Sequence, residues 1–117
     1  MNKTLQFERG DVIRINTRRR GGNVQDGMRP AIVVSNNMGN VYSDILTVIP
    51  LTTVMKKLDQ PTHVVIKREL EGLRHDSVAM AEQITTISKN DVDYKICTVD
   101  DETMDKLNTA IRVALNV

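Results

Sequence analysis

The chain has 117 residues and one cysteine, with 40% apolar and 26% charged residues and a net charge of +1. That length suits one domain, residues 1–117, with one modest core, and that charge excludes the broad basic field of a protein that coats duplex DNA. The lone thiol, Cys97, cannot close an internal disulfide, and no run is apolar and long enough for a signal peptide or a membrane span, so the expected setting is the cytoplasm.

Residues 11–16, with Val12, Ile13 and Ile15, predict a first strand. Residues 17–28 hold three arginines and three glycines without apolar periodicity and read as a long loop. Residues 30–35 form an apolar strand directly behind Gly27-Met28-Arg29-Pro30. Pro30 fixes its own φ and favours an extended Arg29, which puts a guanidinium where loop meets sheet. From these residues alone, a solvated charge is the simpler reading. Asn36, Asn37, Gly39 and Asn40 supply turn chemistry across 36–43.

Residues 45–51 predict another strand, ended near Pro50. Residues 62–67 are β-branched and read as a strand, and 68–76 as a charged loop. Residues 77–87 read as one strand and 94–99 as a short one. Met104, Leu107, Ile111, Ala114 and Leu115 recur at helical spacing, and Thr98-Val99-Asp100-Asp101 offers a capping box in front of them. Six or seven short antiparallel strands and one C-terminal helix describe a mainly β fold, a small barrel that the helix plugs or flanks.

Several chemistries are missing from the pattern. His63 and His75 share no ligand spacing with each other or with Cys97, so neither a metal nor a cofactor is expected. His63 reads as a packed or interfacial histidine. No phosphate-cradling glycine loop and no nucleophile elbow occurs. The three aromatic residues Phe7, Tyr42 and Tyr94 are too few for a sequence-tolerant stacking platform. RNA contact would instead rest on Asn, Gln and Thr hydrogen bonds and a few arginines, with Arg18-Arg19-Arg20 the one basic cluster.

Six segments follow one another in a telling order: Arg9-Gly10-Asp11-Val12, residues 25–36, Pro61-Thr62-His63-Val64, Asp76-Ser77-Val78, residues 82–87 and the closing helix. Together they resemble the MazF/PemK family of toxins from toxin–antitoxin pairs, over nearly the whole chain. The resemblance implies an SH3-like barrel, a homodimer, and a metal-independent ribonuclease that cuts single-stranded RNA at short motifs. It also implies neutralisation by an antitoxin, with DNA contacted only through the antitoxin complex. Arg29 matches the family's Arg-Pro arginine and Thr52 its threonine after the third strand. Glu82 matches an acidic position that serves some relatives in acid–base work. A carboxylate paired on the surface is an equal alternative for it. Asn23, Gln25, Thr53, Gln83 and Arg18–Arg20 are the expected RNA contacts. Val24 stands where relatives often carry glutamate, so no acid–base role is carried over there. Two other readings compete: a CcdB-like module that binds DNA gyrase without catalysis, and a catalytically inactive homologue.

Overall fold

The computed structural model describes residues 6–16, 28–67 and 73–117. Its elements in chain order are β1 (Asp11–Asn16), β2 (Met28–Val33), α1 (Asn37–Tyr42), β3 (Ile45–Thr52), β4 (His63–Ile66), β5 (Ser77–Met80), β6 (Thr85–Ser88), β7 (Val92–Thr98) and α2 (Asp101–Leu115). The expected class holds: mainly β, seven antiparallel strands and a C-terminal helix. Among the described residues the expected barrel is not closed. The strands run β4-β5-β3-β2-β1-β7, β6 attaches to β3, and β4 and β7 remain as ends.

Three local expectations need correction. Residues 36–43 form a short helix rather than a turn: the Asn36 side chain accepts the Gly39 N–H at 2.7 Å and so caps α1. The stretch 77–87 is two strands split by a 3-10 turn, Ala81–Gln83. The cap of α2 is Asp100, which accepts the Thr103 N–H at 2.9 Å, and not Thr98. The Thr98 hydroxyl instead donates to the buried Asp11 carboxylate at 2.8 Å.

The apolar residues divide between the two faces of the sheet, as period-two alternation requires. On one face Val12, Ile32, Ile49, Leu51 and Ile66 meet Leu107 and Ala110 of α2. On the other, Ile13, Ile15, Ala31, Val33, Leu46 and Val48 pack with Ile87 and Val92. Gly10 has φ +102, a value that L side chains rarely adopt, and turns the chain into β1 close beneath Met104 of α2. Arg9 ties the layers together: its Nε donates to the Val34 carbonyl at 2.8 Å and a terminal nitrogen donates to Asn108 Oδ1 at 2.7 Å. Leu107 is fully buried under the sheet. Leu107→Ala should lower unfolding free energy by about 2–5 kcal/mol, through lost transfer energy and the cavity left behind. Urea unfolding followed by circular dichroism measures it, and a loss under about 1 kcal/mol would contradict α2's place in the core.

Candidate ribonuclease site

β2 begins at Met28, so Arg29 lies inside the strand rather than in front of it. β2 and β3 pair Val33 with Val48, Ile32 with Ile49 and Ala31 with Pro50. The pairing ends at Ala31 and Pro50, two residues short of Arg29 and of Thr52, so these two lie at the same end of the strand pair. Alternation also gives both the same face, the one that carries Ala31, Val33 and Val48 and lies opposite α2. Two residues 23 positions apart in sequence thus lie at one end of the sheet.

Each is half-buried. The Arg29 guanidinium makes no hydrogen bond or ion pair with another described residue, so its planar fork is open to an anion. Thr52 Oγ1 accepts the Val54 N–H at 3.2 Å, which orients the hydroxyl and leaves its hydrogen to donate. Thr53 follows, exposed. A cation and an O–H donor on one face suit a phosphate better than a neutral ligand.

On its other edge Thr52 pairs with Val78 of β5. The chain then makes the turn Ala81–Gln83, which exposes Glu82 and Gln83. The Glu82 carboxylate is not free: Oε2 lies 2.9 Å from His63 Nε2. His63 Nδ1 lies 3.0 Å from the Lys57 carbonyl oxygen. A carbonyl only accepts, so Nδ1 carries the hydrogen of that contact and Nε2 faces the carboxylate. Burial opposes ionisation of Glu82, but hydrogen bonding, chiefly from His63, outweighs it and brings the carboxyl below its usual range. Lys57 has φ +56, a strained value for a non-glycine residue, and the His63 ring is tied to that turn. The His63 side chain is 8% exposed.

His63 is the partner that reading the sequence missed. It faces Met80 across β4 and β5, one residue before the turn that carries Glu82, and only that register brings the two together. Pro61-Thr62-His63-Val64 was the available signal, but a motif does not name its contacts. Arg18, Arg19, Arg20, Asn23 and Gln25 lie outside the described residues. Among the described residues no group of three or more His, Cys, Asp or Glu side chains could hold a metal, and no helix is long and apolar enough to cross a membrane.

Comparison with known proteins converges on one family. The family model described as "PemK-like, MazF-like toxin of type II toxin-antitoxin system" matches residues 8–115. Endoribonuclease EndoA of Bacillus subtilis is 39% identical over 108 residues, covering 92% of this chain and 93% of that protein. Endoribonuclease MazF of Staphylococcus saprophyticus is 36% identical over 111 residues, covering 95% and 92%. Among solved structures, an endoribonuclease in complex with its cognate antitoxin from a mycobacterial species superposes with TM-score 0.77 at 28% identity, covering 95% of this chain and 96% of that one. Sequence, fold and family match agree: the chain belongs to the PemK-like, MazF-like toxins of type II toxin–antitoxin systems.

Proposed function

We propose that the chain is a sequence-specific, metal-independent endoribonuclease that cuts single-stranded RNA and is neutralised by a cognate antitoxin. The β2–β3 register, which puts Arg29 and Thr52 at the same end of the sheet, is the observation that carries this reading. The substrate's own 2′-hydroxyl is the nucleophile. Its oxygen bonds to phosphorus, the bond to the 5′-oxygen breaks, and the products end in a 2′,3′-cyclic phosphate and a 5′-hydroxyl. DNA lacks that hydroxyl and is spared. Arg29 neutralises the phosphorane oxygens with its bidentate fork, and Thr52 donates one further hydrogen bond.

Glu82 is the candidate for accepting the 2′-proton. Held ionised by His63, it suits acceptance better than donation. Thr53 and Gln83, exposed beside these groups, read bases together with Asn23 and Gln25, while Arg18, Arg19 and Arg20 hold the RNA backbone. The same reading has the toxin act as a homodimer in the cytoplasm, where mRNA is met. Apolar Met38, Val41 and Tyr42 stand exposed on α1, which supports a partnered surface. The gyrase-binding alternative is not favoured, because both relatives are named endoribonucleases.

Arg29→Ala should abolish cleavage of a defined RNA in EDTA while the fold survives; a folded, fully active variant would remove Arg29 from the site. Thr52→Ala should slow cleavage by about 10²–10³ without changing the product ends. Product ends carrying a 3′-hydroxyl would sink the 2′-hydroxyl mechanism.

The third expectation concerns pH. The folded Glu82 carboxyl titrates below its ordinary value, so the pair stabilises the fold above the unfolded pKa and this is lost as pH falls through the folded one. His63→Ala removes the main lowering partner, and the acid limb of the cleavage profile should move to higher pH. Superimposable limbs, or full activity in Glu82→Gln, would end the acid–base assignment.

A further inference from the structure

The connection that leaves Thr52 runs from Thr53 to Pro61, and every residue of it is exposed. Val54, Met55 and Leu58 are among them, so packing does little to hold it. Hydrogen bonds shape it instead. The Val54 carbonyl accepts the Lys56 N–H at 3.1 Å, and the Lys57 carbonyl accepts the Gln60 N–H at 3.1 Å. Two side chains bond to its main chain, one near each end. Thr52 Oγ1 takes the Val54 N–H, and His63 Nδ1 donates to the Lys57 carbonyl.

The second contact closes a tight local arrangement. With Gln60 and His63 both donating, the Lys57 carbonyl uses both of its lone pairs. The His63 N–H also donates to the Gln60 carbonyl at 3.0 Å, so His63 grips this turn by backbone and by ring. Lys57 itself has φ +56, a conformation that persists where its surroundings over-determine it. The ring is nearly hidden, and its other nitrogen meets Glu82, whose side chain is 41% exposed. Lys67, Asp100, Glu102 and Lys106 line the groove beside the ring, and none of them hydrogen-bonds to it. One imidazole thus couples the segment that follows Thr52 to the turn that presents Glu82 and Gln83. On that segment Lys56 and Lys57 outnumber Asp59, and neither lysine makes an ion pair with another described residue.

We propose that His63 is a two-ended positioning residue for RNA cleavage. Through Nδ1 it holds the 53–61 connection so that Lys56 meets a phosphate of the bound strand, and through Nε2 it holds Glu82 toward the reacting 2′-hydroxyl. The inference rests on the ribonuclease reading and divides its labour: one ring nitrogen serves substrate binding and the other serves turnover.

Asparagine and glutamine separate the two ends, because the asparagine amide nitrogen takes the place of Nδ1 and the glutamine amide nitrogen that of Nε2. The substrate is a single-stranded RNA whose cut site is mapped from its product ends. His63→Gln should raise KM about three- to tenfold with kcat near that of the wild type, and His63→Asn should lower kcat by about the same factor with KM near that of the wild type. Lys56→Gln, an exposed change, should raise KM about threefold and add less than that in the His63→Gln background, where the lysine is already displaced. The same KM and kcat pattern in both His63 variants, an unchanged KM in Lys56→Gln, or full additivity overturns the proposal. Hydrogen exchange over residues 53–61 should quicken in His63→Gln and not in His63→Asn, and equal exchange in the two overturns it as well. The exchange readout needs no cleavage, so the tether can fail while the ribonuclease reading stands. Wild-type protein inert toward RNA would instead end the ribonuclease reading itself.

Discussion

Strand β3 is covered on both faces and paired on both edges, and the rest of the architecture follows from it. Leu46 and Val48 are buried on one side of the sheet, Ile49 and Leu51 on the other. Burying each such side chain contributes about 1.5–3 kcal/mol. A slip of one residue would turn all of them to the wrong face, so the register with β2 is strongly specified. On its other edge β3 changes neighbour, pairing with β6 through Val48 and with β5 from Leu51. Pro50, which has no N–H for a ladder, falls within that handover.

The placement of the candidate residues is a consequence of this arrangement. The same register that buries Val33 against Val48 puts Arg29 and Thr52 at one end of the sheet, so their placement is set by apolar packing several residues away. The handover to β5 also places the third candidate, since the chain leaving β5 turns through Glu82 and Gln83 before returning as β6. Charge is distributed unevenly among these groups. Glu82 and His63 satisfy one another, and through Lys57 they tie the segment after β3 to the turn after β5. Arg29 is left without a described partner.

Much of the fold was legible before any coordinates. β1, β3 and α2 announce themselves because their apolar periods of two and of about 3.6 are each tied to a buried face. The errors have equally specific causes. Asn36, Gly39 and Asn40 suit turns, but Asn36 spends its side chain on a cap and a six-residue helix results. Residues 77–87 look continuous because β5 and β6 are both β-branched or apolar; their separation reflects two different stretches of β3 waiting to be paired. The capping residue of α2 shifts from Thr98 to Asp100 because the buried Asp11 recruits the Thr98 hydroxyl, an attraction across 87 positions that no local window contains.

The sequence by itself determined the class of the fold, the order of its main elements and the family, because each is written in local composition, periodicity or an ordered run of motifs. Only the tertiary structure decided which of those residues meet. The β2–β3 register places Arg29 and Thr52 at the same end of the sheet, and the β4–β5 register brings His63 within reach of Glu82; both depend on packing across the whole sheet. The position of β4 as an end of the strand path among the described residues is of the same kind: no residue in 63–66 marks it, because being an end is a property of a strand's neighbours.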